Sequence, residues 1–263
     1  MNVRVVRRSI AFTFGFLLYA LSAIAQTTKP YEPQVGQAGK DVVWVPTPQV
    51  LVEKMLDMAK VTPQDFVIDL GSGDGRTVIT AAKRGARAMG IEYNPDMVEL
   101  AKRNATAAGV ATDRATFLKA DLFETDLSKA QVITMFLLPS INIKLRPKIL
   151  DLKPGTRIVT NSFTMEDWQA DESQTVTDDC TSWCTAHLWI VPAKVEGTWQ
   201  TPQGALTLKQ EFQMISGTMG SAPITEGRLR GDQIEFTGGG RKYTGTVNGN
   251  TITGAGGFTA TRK

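Results

Sequence analysis

Asp65-Phe66-Val67-Ile68-Asp69-Leu70-Gly71-Ser72-Gly73-Asp74-Gly75 passes from an apolar, β-favouring run into a glycine-dense turn, and residues 76–83 continue as a helix. A strand, a tight loop and a helix N-terminus in one short span put the loop at the carboxyl end of a strand, where open α/β sheets bind their ligands. Glycine lets backbone approach a ligand closely and adopts positive φ without a clash. The spacing narrows the ligand. Gly71, Gly73 and Gly75 make G-x-G-x-G with Asp69 ahead of them, whereas a dinucleotide fingerprint needs its last glycine where Arg76 stands.

Outward from this loop the chain alternates strand and helix. Residues 86–91 read as a second strand ending at Glu92, and Asn94-Pro95 opens a helix through Ala107 with Gly109 as its stop. Residues 115–119 form a third strand followed by Asp121-Leu122. Residues 131–138 form an apolar fourth strand ending in Phe136-Leu137-Leu138, and Pro139 starts a helix to about Leu150. Residues 156–160 make a fifth strand. This rhythm predicts a doubly wound, mostly parallel sheet with helices on both faces. Residues 174–177 and 186–191 then read as two strands with no helix between them.

Upstream, residues 42–46 are apolar and extended. Thr47-Pro48 reads as an N-cap followed by proline at the first helical position, before a helix with Leu51, Met55 and Met58 on one face. Residues 26–41, with Pro30, Pro33, Gly36 and Gly39, read as a linker. Downstream, Pro192-Ala193-Lys194 marks a boundary, so that 42–192 and 195–263 are separate domains. The second is rich in Gly, Thr and β-branched residues. Seven short strands and an Asn248-Gly249 hairpin signal predict a small antiparallel meander or open barrel.

Arg4, Arg7 and Arg8 precede an apolar run from Ile10 to Leu21, and Ala23-Ile24-Ala25 offers a cleavage site before Gln26. That order describes a secretory signal peptide over residues 1–25. It places the mature chain in the periplasm or outside the cell, with no transmembrane span; an uncut anchor is the alternative, and Arg7-Arg8 hints at a twin-arginine signal. A net charge of +3 is too small to argue for nucleic acid or an acidic membrane surface as partner, and no nucleic acid is expected.

Taken together, Asp69, the glycine loop with Ser72, Glu92, Asp121-Leu122 and the fourth-strand edge resemble the class I S-adenosylmethionine-dependent methyltransferases. The resemblance implies a seven-stranded sheet closed by an antiparallel pair, and S-adenosylmethionine as cofactor. Asp69, Gly71, Ser72, Gly73 and Gly75 would then line its loop. Glu92, about 20 residues on, would meet the ribose hydroxyls, while Asp121 and Leu122 would hold the adenine. Thr47 is a further candidate contact, and Phe136, Leu137, Leu138 and Pro139 would form the substrate edge. The phrases Val45-Pro46-Thr47-Pro48, Gly90-Ile91-Glu92-Tyr93-Asn94-Pro95 and Leu145-Arg146-Pro147-Lys148 are similar to small bacterial methyltransferases and to mitochondrial lysine methyltransferases of ATP-synthase subunits. They imply methylation of an amine, foremost a protein lysine. A small-molecule methyltransferase and a non-catalytic cofactor-binding envelope protein are the rivals. No residue is assigned as general base.

Cys180 and Cys184 flank Thr-Ser-Trp, with His187 beyond. In an exported chain they read as a disulfide; a zinc site, the alternative, lacks a fourth ligand, and no metal is expected. His187 reads as a packed or surface histidine. In the second domain Arg228, Arg230, Arg241 and Lys242, with Phe236 and Tyr243 between, form a solvated face or a patch for an acidic partner.

Overall fold

The structure, a computed structural model, describes residues 31–263, and Tyr31–Lys263 form one compact unit. The segment read as a signal peptide lies outside the described residues. Strand β1 (Phe66–Leu70) is buried over its last four positions, as a central parallel strand covered on both faces must be. It pairs in parallel with β2 (Arg87–Glu92) on one side and β4 (Val132–Met135) on the other. Strand β3 (Ala115–Lys119) lies outside β2 and β5 (Arg157–Asn161) outside β4, both parallel. Strand β7 (Thr185–Ile190) then runs antiparallel to β5, and β6 (Glu172–Thr175) antiparallel to β7. The seven-stranded order β3-β2-β1-β4-β5-β7-β6 reverses between β1 and β4. At that reversal successive connections leave on opposite faces and open a crevice at the carboxyl ends.

Alternation along the strands builds two cores. On one face Val67, Val132 and Val159 meet α1 (Gln49–Met58), α2 (Arg76–Lys83) and α3 (Pro95–Ala107) through Leu51, Val78 and Val98. On the other, Ile68, Leu70 and Ile133 meet α4 (Pro139–Leu150) through Ile141, Leu145 and Ile149. Helix α3 starts where Asn94 Oδ1 accepts the amide of Asp96 at 2.9 Å, with Pro95 at the next position.

Three expectations change at these ends. The fourth strand stops at Met135, because Phe136–Leu138 turn away from the ladder to feed α4, whose cap is Leu138. Pro48, in extended backbone, is the N-cap of α1, and no side chain caps it. Thr47 is drawn elsewhere: its hydroxyl accepts from Asn161 Nδ2 at 3.3 Å and its carbonyl from Arg76 Nη1 at 2.8 Å. The segment read as a linker is, over its described part, a folded strap. Gly36 N donates to Trp44 O at 2.8 Å, Trp44 N to Gln37 O at 2.9 Å, and Ala38 bridges Val43.

The C-terminal strands are β8 (Gly197–Thr201), β9 (Gly204–Glu211), β10 (Met214–Met219), β11 (Ala222–Arg230), β12 (Gln233–Gly238), β13 (Arg241–Asn248), β14 (Thr251–Gly254) and β15 (Thr259–Arg262). They form a closed antiparallel barrel rather than an open one. The last strand, absent from the sequence reading, closes it by pairing with β8. Closure removes the exposed edges an open meander would leave. Trp199, Leu206, Leu229, Ile234, Phe236 and Ile252 are buried in its core.

The barrel rests on residues leading into β6 and out of β7. Phe212 stacks on the buried Trp168, with centroids 5.9 Å apart. Gln213 Nε2 donates to Gln169 O at 2.8 Å, and Ala193 N to Gly231 O at 2.8 Å. Arg228 leaves the solvated cluster: its Nη2 meets Asp171 Oδ1 at 2.7 Å, while Asp171 Oδ2 accepts from Ile190 N at 2.8 Å. The Asp171 side chain is fully buried, so removing its cation strands a desolvated carboxylate. Arg228→Ala is expected to lower the unfolding free energy by about 2 kcal/mol. Arg230→Ala, on the exposed side of the same strand, stays within about 0.5 kcal/mol. Urea melts of the two variants make the comparison.

Candidate active site

The glycine loop is built against β2. Gly71 N and Ser72 N both donate to Ile91 O, at 2.9 and 3.0 Å. Gly73 N donates to Glu92 Oε2 at 3.0 Å, and Asn94 N to Glu92 Oε1 at 2.9 Å. Two glycines are dictated by close approach. Gly73 has φ +52°, and a Cβ there would stand 2.6 Å from Trp44 Nε1 of the strap. Gly75 has φ +84°, and a Cβ would stand 2.8 Å from Phe117 and 2.9 Å from Ala101. The loop is therefore clamped between strap, α3 and β3.

Asp69 is buried at the end of β1, where its Oδ1 accepts from Thr134 Oγ1 at 2.6 Å. Burial, with the nearby charges of Asp74 and Glu92, overrides that hydrogen bond and pushes its carboxyl up to about 7. Asp74 is answered by Arg76, whose Nη2 lies 2.6 Å from Asp74 Oδ2. Arg76, the residue that breaks the dinucleotide pattern, thus ties the loop to the strap through the Thr47 carbonyl. Asp121 is engaged on both oxygens: Oδ1 by Phe123 N at 2.9 Å and Oδ2 by Lys40 Nζ at 2.5 Å. The Lys40 contact holds its carboxyl below the usual range. Lys40 also sits over the Tyr93 ring, 4.6 Å from its centroid, so this one strap residue latches both β2 and β3 ends.

Strap and loop enclose a cleft at the carboxyl ends of β1 and β2 that opens to solvent at its mouth. Its walls include Thr47, Asp69, Gly71, Ser72, Gly73, Glu92, Asp121 and Leu122, with Phe136 and Leu137 at one end. Gly75 stands behind the loop as the cap of α2, and Leu138 and Pro139 begin α4 instead. Among the described residues, three acids that line the cleft, Asp41 on the strap, Asp69 and Glu92, have no cationic partner, whereas Asp74 and Asp121 have theirs. Ser72 Oγ is buried with no hydrogen-bond partner among the described residues. Ile91, Leu122 and Leu137 add apolar wall. The arrangement suits a ligand with a flat apolar ring, hydroxyls and positive charge.

The site contacts of Lys40, Trp44 and Arg76 were not legible in the sequence, since nothing local shows that the segment before residue 47 folds back over the loop or that Arg76 reaches its Thr47 carbonyl. Cys180 and Cys184 are joined as a disulfide. His187 lies on β7, half-buried, with Ser173 Oγ 2.7 Å from Nδ1, and burial lowers its pKa.

Residues 69–172 match the model of the ANTKMT methyltransferase domain. A protein-lysine N-methyltransferase of Saccharolobus islandicus is 46% identical over 140 residues, which are 52% of this chain and 86% of the relative. The chain belongs to the class I S-adenosylmethionine-dependent methyltransferases. The adenine nucleotide translocase lysine N-methyltransferase of Mus musculus is 38% identical over 45% of this chain, which spans about half of that protein (52%). A crystal structure of an RNA methyltransferase from Salinibacter ruber, in complex with S-adenosyl-L-homocysteine, superposes with a TM-score of 0.54 and 45% identity. It covers 57% of this chain and 96% of that one. The family's cofactor, S-adenosylmethionine, fits the cleft: it carries a flat base, ribose hydroxyls and cationic groups, matching the apolar wall, the Glu92 carboxylate at the end of β2 and the buried Asp69.

Because the folded state binds a proton at Asp69 more readily than the unfolded chain, the ligand-free methyltransferase loses stability as pH rises from about 4 to about 7. Asp69→Asn removes that dependence. It is expected to raise the unfolding free energy at pH 8 by up to roughly 4 kcal/mol and to change nothing at pH 4, as denaturant melts at both pH values would show.

Proposed function

We propose that this methyltransferase transfers a methyl group to an amine, a protein lysine, with residues 42–192 carrying the chemistry and residues 195–263 as an accessory domain. The observation that carries the reading is the cleft at the β1/β4 reversal, in a chain that is 46% identical to a protein-lysine N-methyltransferase over 86% of the latter. S-adenosylmethionine supplies a methyl activated by a sulfonium. Glu92 takes the ribose hydroxyls with the lone pairs left over from Gly73 and Asn94. Leu122 packs the base, and Asp121 accepts from its amino group with capacity not used by Lys40 and Phe123. Asp69 ionises opposite the cofactor's ammonium. Phe136 and Leu137 wall the end from which the acceptor arrives, so that the site acts by alignment and by excluding water.

The same reading puts the enzyme outside the cytoplasm. Its support is the basic, apolar and small-residue order of residues 1–25 together with the Cys180–Cys184 disulfide, a bond suited to oxidising compartments.

Calorimetry on the wild-type chain is expected to show S-adenosylhomocysteine binding, lost in Glu92→Ala and in Gly71→Arg. Absence of binding by folded wild-type protein would overturn the assignment. Tritiated methyl from labelled cofactor, offered to a cell-envelope extract, should appear in protein lysines. Label in RNA or in small molecules names a different acceptor, and binding without transfer makes the chain a cofactor-binding protein. Sequencing the mature protein from the periplasm should begin at Gln26; an intact Met1 in the cytoplasm contradicts export.

A further inference from the structure

Three aromatic rings meet at the Phe136 end of the cleft. Phe136 stacks on Phe163, with centroids 6.0 Å apart and planes 24° from parallel. Trp183 leans on both, 5.7 Å from Phe136 and 5.3 Å from Phe163. The rings come from three distant segments: the turns after β4 and β5 and the β6–β7 connection. Two of the three segments are held in place by contacts of their own. The Phe163 carbonyl accepts from Thr160 Oγ1 at 2.5 Å, and Asn142 Nδ2, on α4, donates to Thr164 O at 3.1 Å. Trp183 lies inside the loop that the Cys180–Cys184 disulfide closes.

Nothing in the core requires this placement. Trp183 is 43% exposed, and its φ of +58° is left-handed, a conformation costly for a bulky residue. Ser162, leading into Phe163, has φ +58° as well. Strained backbone that presents a large exposed ring beside a cleft points to a bound partner rather than to packing. Stacked aromatic faces take an aliphatic stem by burial and a terminal ammonium through the ring quadrupole.

We propose that Trp183, clamped by the Cys180–Cys184 disulfide, forms with Phe136 and Phe163 the wall that receives the side chain of an alkylamine acceptor. The inference rests on the methyl-transfer reading above and adds the residues that select the acceptor. Trp183 acts here as a specificity-determining contact, and the oxidised loop is a condition for acceptor binding but not for cofactor binding.

The test titrates the oxidised protein with Nα-acetyl-lysine methylamide and follows the Trp183 indole N–H resonance, assigned by its loss in Trp183→Phe. The resonance should shift at several-fold lower concentration with the lysine probe than with its norleucine analogue, which keeps the stem and lacks the ammonium. Reduction of the disulfide, or the Cys180→Ser/Cys184→Ser pair, should weaken the probe at least tenfold. Trp183→Ala should weaken it equally, read from the Phe136 and Phe163 ring signals, while S-adenosylhomocysteine affinity by calorimetry stays within twofold. A Trp183 resonance that ignores the amine, or answers both probes alike, overturns the proposal even where cofactor binds. A wild-type chain that binds no S-adenosylhomocysteine overturns the methyl-transfer reading instead.

Discussion

The carboxylate of Glu92 accepts the amide of Gly73 through one oxygen and that of Asn94 through the other. With these two bonds it fastens the glycine loop after β1 to the end of β2 and to the start of α3. The loop has no comparable freedom elsewhere, since Gly71 and Ser72 are already bound to the Ile91 carbonyl. Everything that faces the cleft is placed relative to this junction: Asp69 below it, Trp44 above it and Asp121 one strand further out. A carboxylate at the end of the strand can do this because charge-assisted hydrogen bonds to two amides are stronger than neutral ones.

Over that rigid floor lies a lighter roof. The strap is anchored by one lysine, by the indole of Trp44 against Gly73, and by the guanidinium of Arg76 reaching the Thr47 carbonyl. These contacts are few and the Lys40–Asp121 pair is partly exposed, so its net contribution to stability is small. A roof of this kind can yield to a ligand while the floor keeps its shape. Asp69 adds a chemical bias of its own, because its raised pKa makes a cationic ligand and a deprotonated carboxylate mutually stabilising.

The barrel contributes nothing to the cleft wall and works through the sheet edge. The pairing of its half-exposed Arg228 with the buried Asp171 and the stacking of Phe212 on Trp168 brace the segment that leads into β6. The β6–β7 connection that follows is the one carrying Trp183. The barrel and the disulfide therefore steady opposite ends of one antiparallel pair.

The local code of the chain was legible where each element carries its own punctuation. Asn94-Pro95 announced α3, the apolar run before Gly71 announced β1, and the spacing from Gly71 to Glu92 and Asp121 announced which strand ends converge. Boundaries blurred where a ladder ends for tertiary reasons, as at Met135. The closing strand Thr259–Arg262 escaped because its polar, alternating residues become a strand only when β8 offers an edge to pair with. By itself, then, the sequence determined the doubly wound sheet, the glycine loop and the acids around it, since these follow from hydrophobic period, glycine spacing and strand order. Only the tertiary structure decided that residues 31–44 roof the site, that Arg228 serves the domain interface, and that Phe136, Phe163 and Trp183 meet. Those contacts join segments tens of residues apart, and no local propensity encodes which of them will be neighbours.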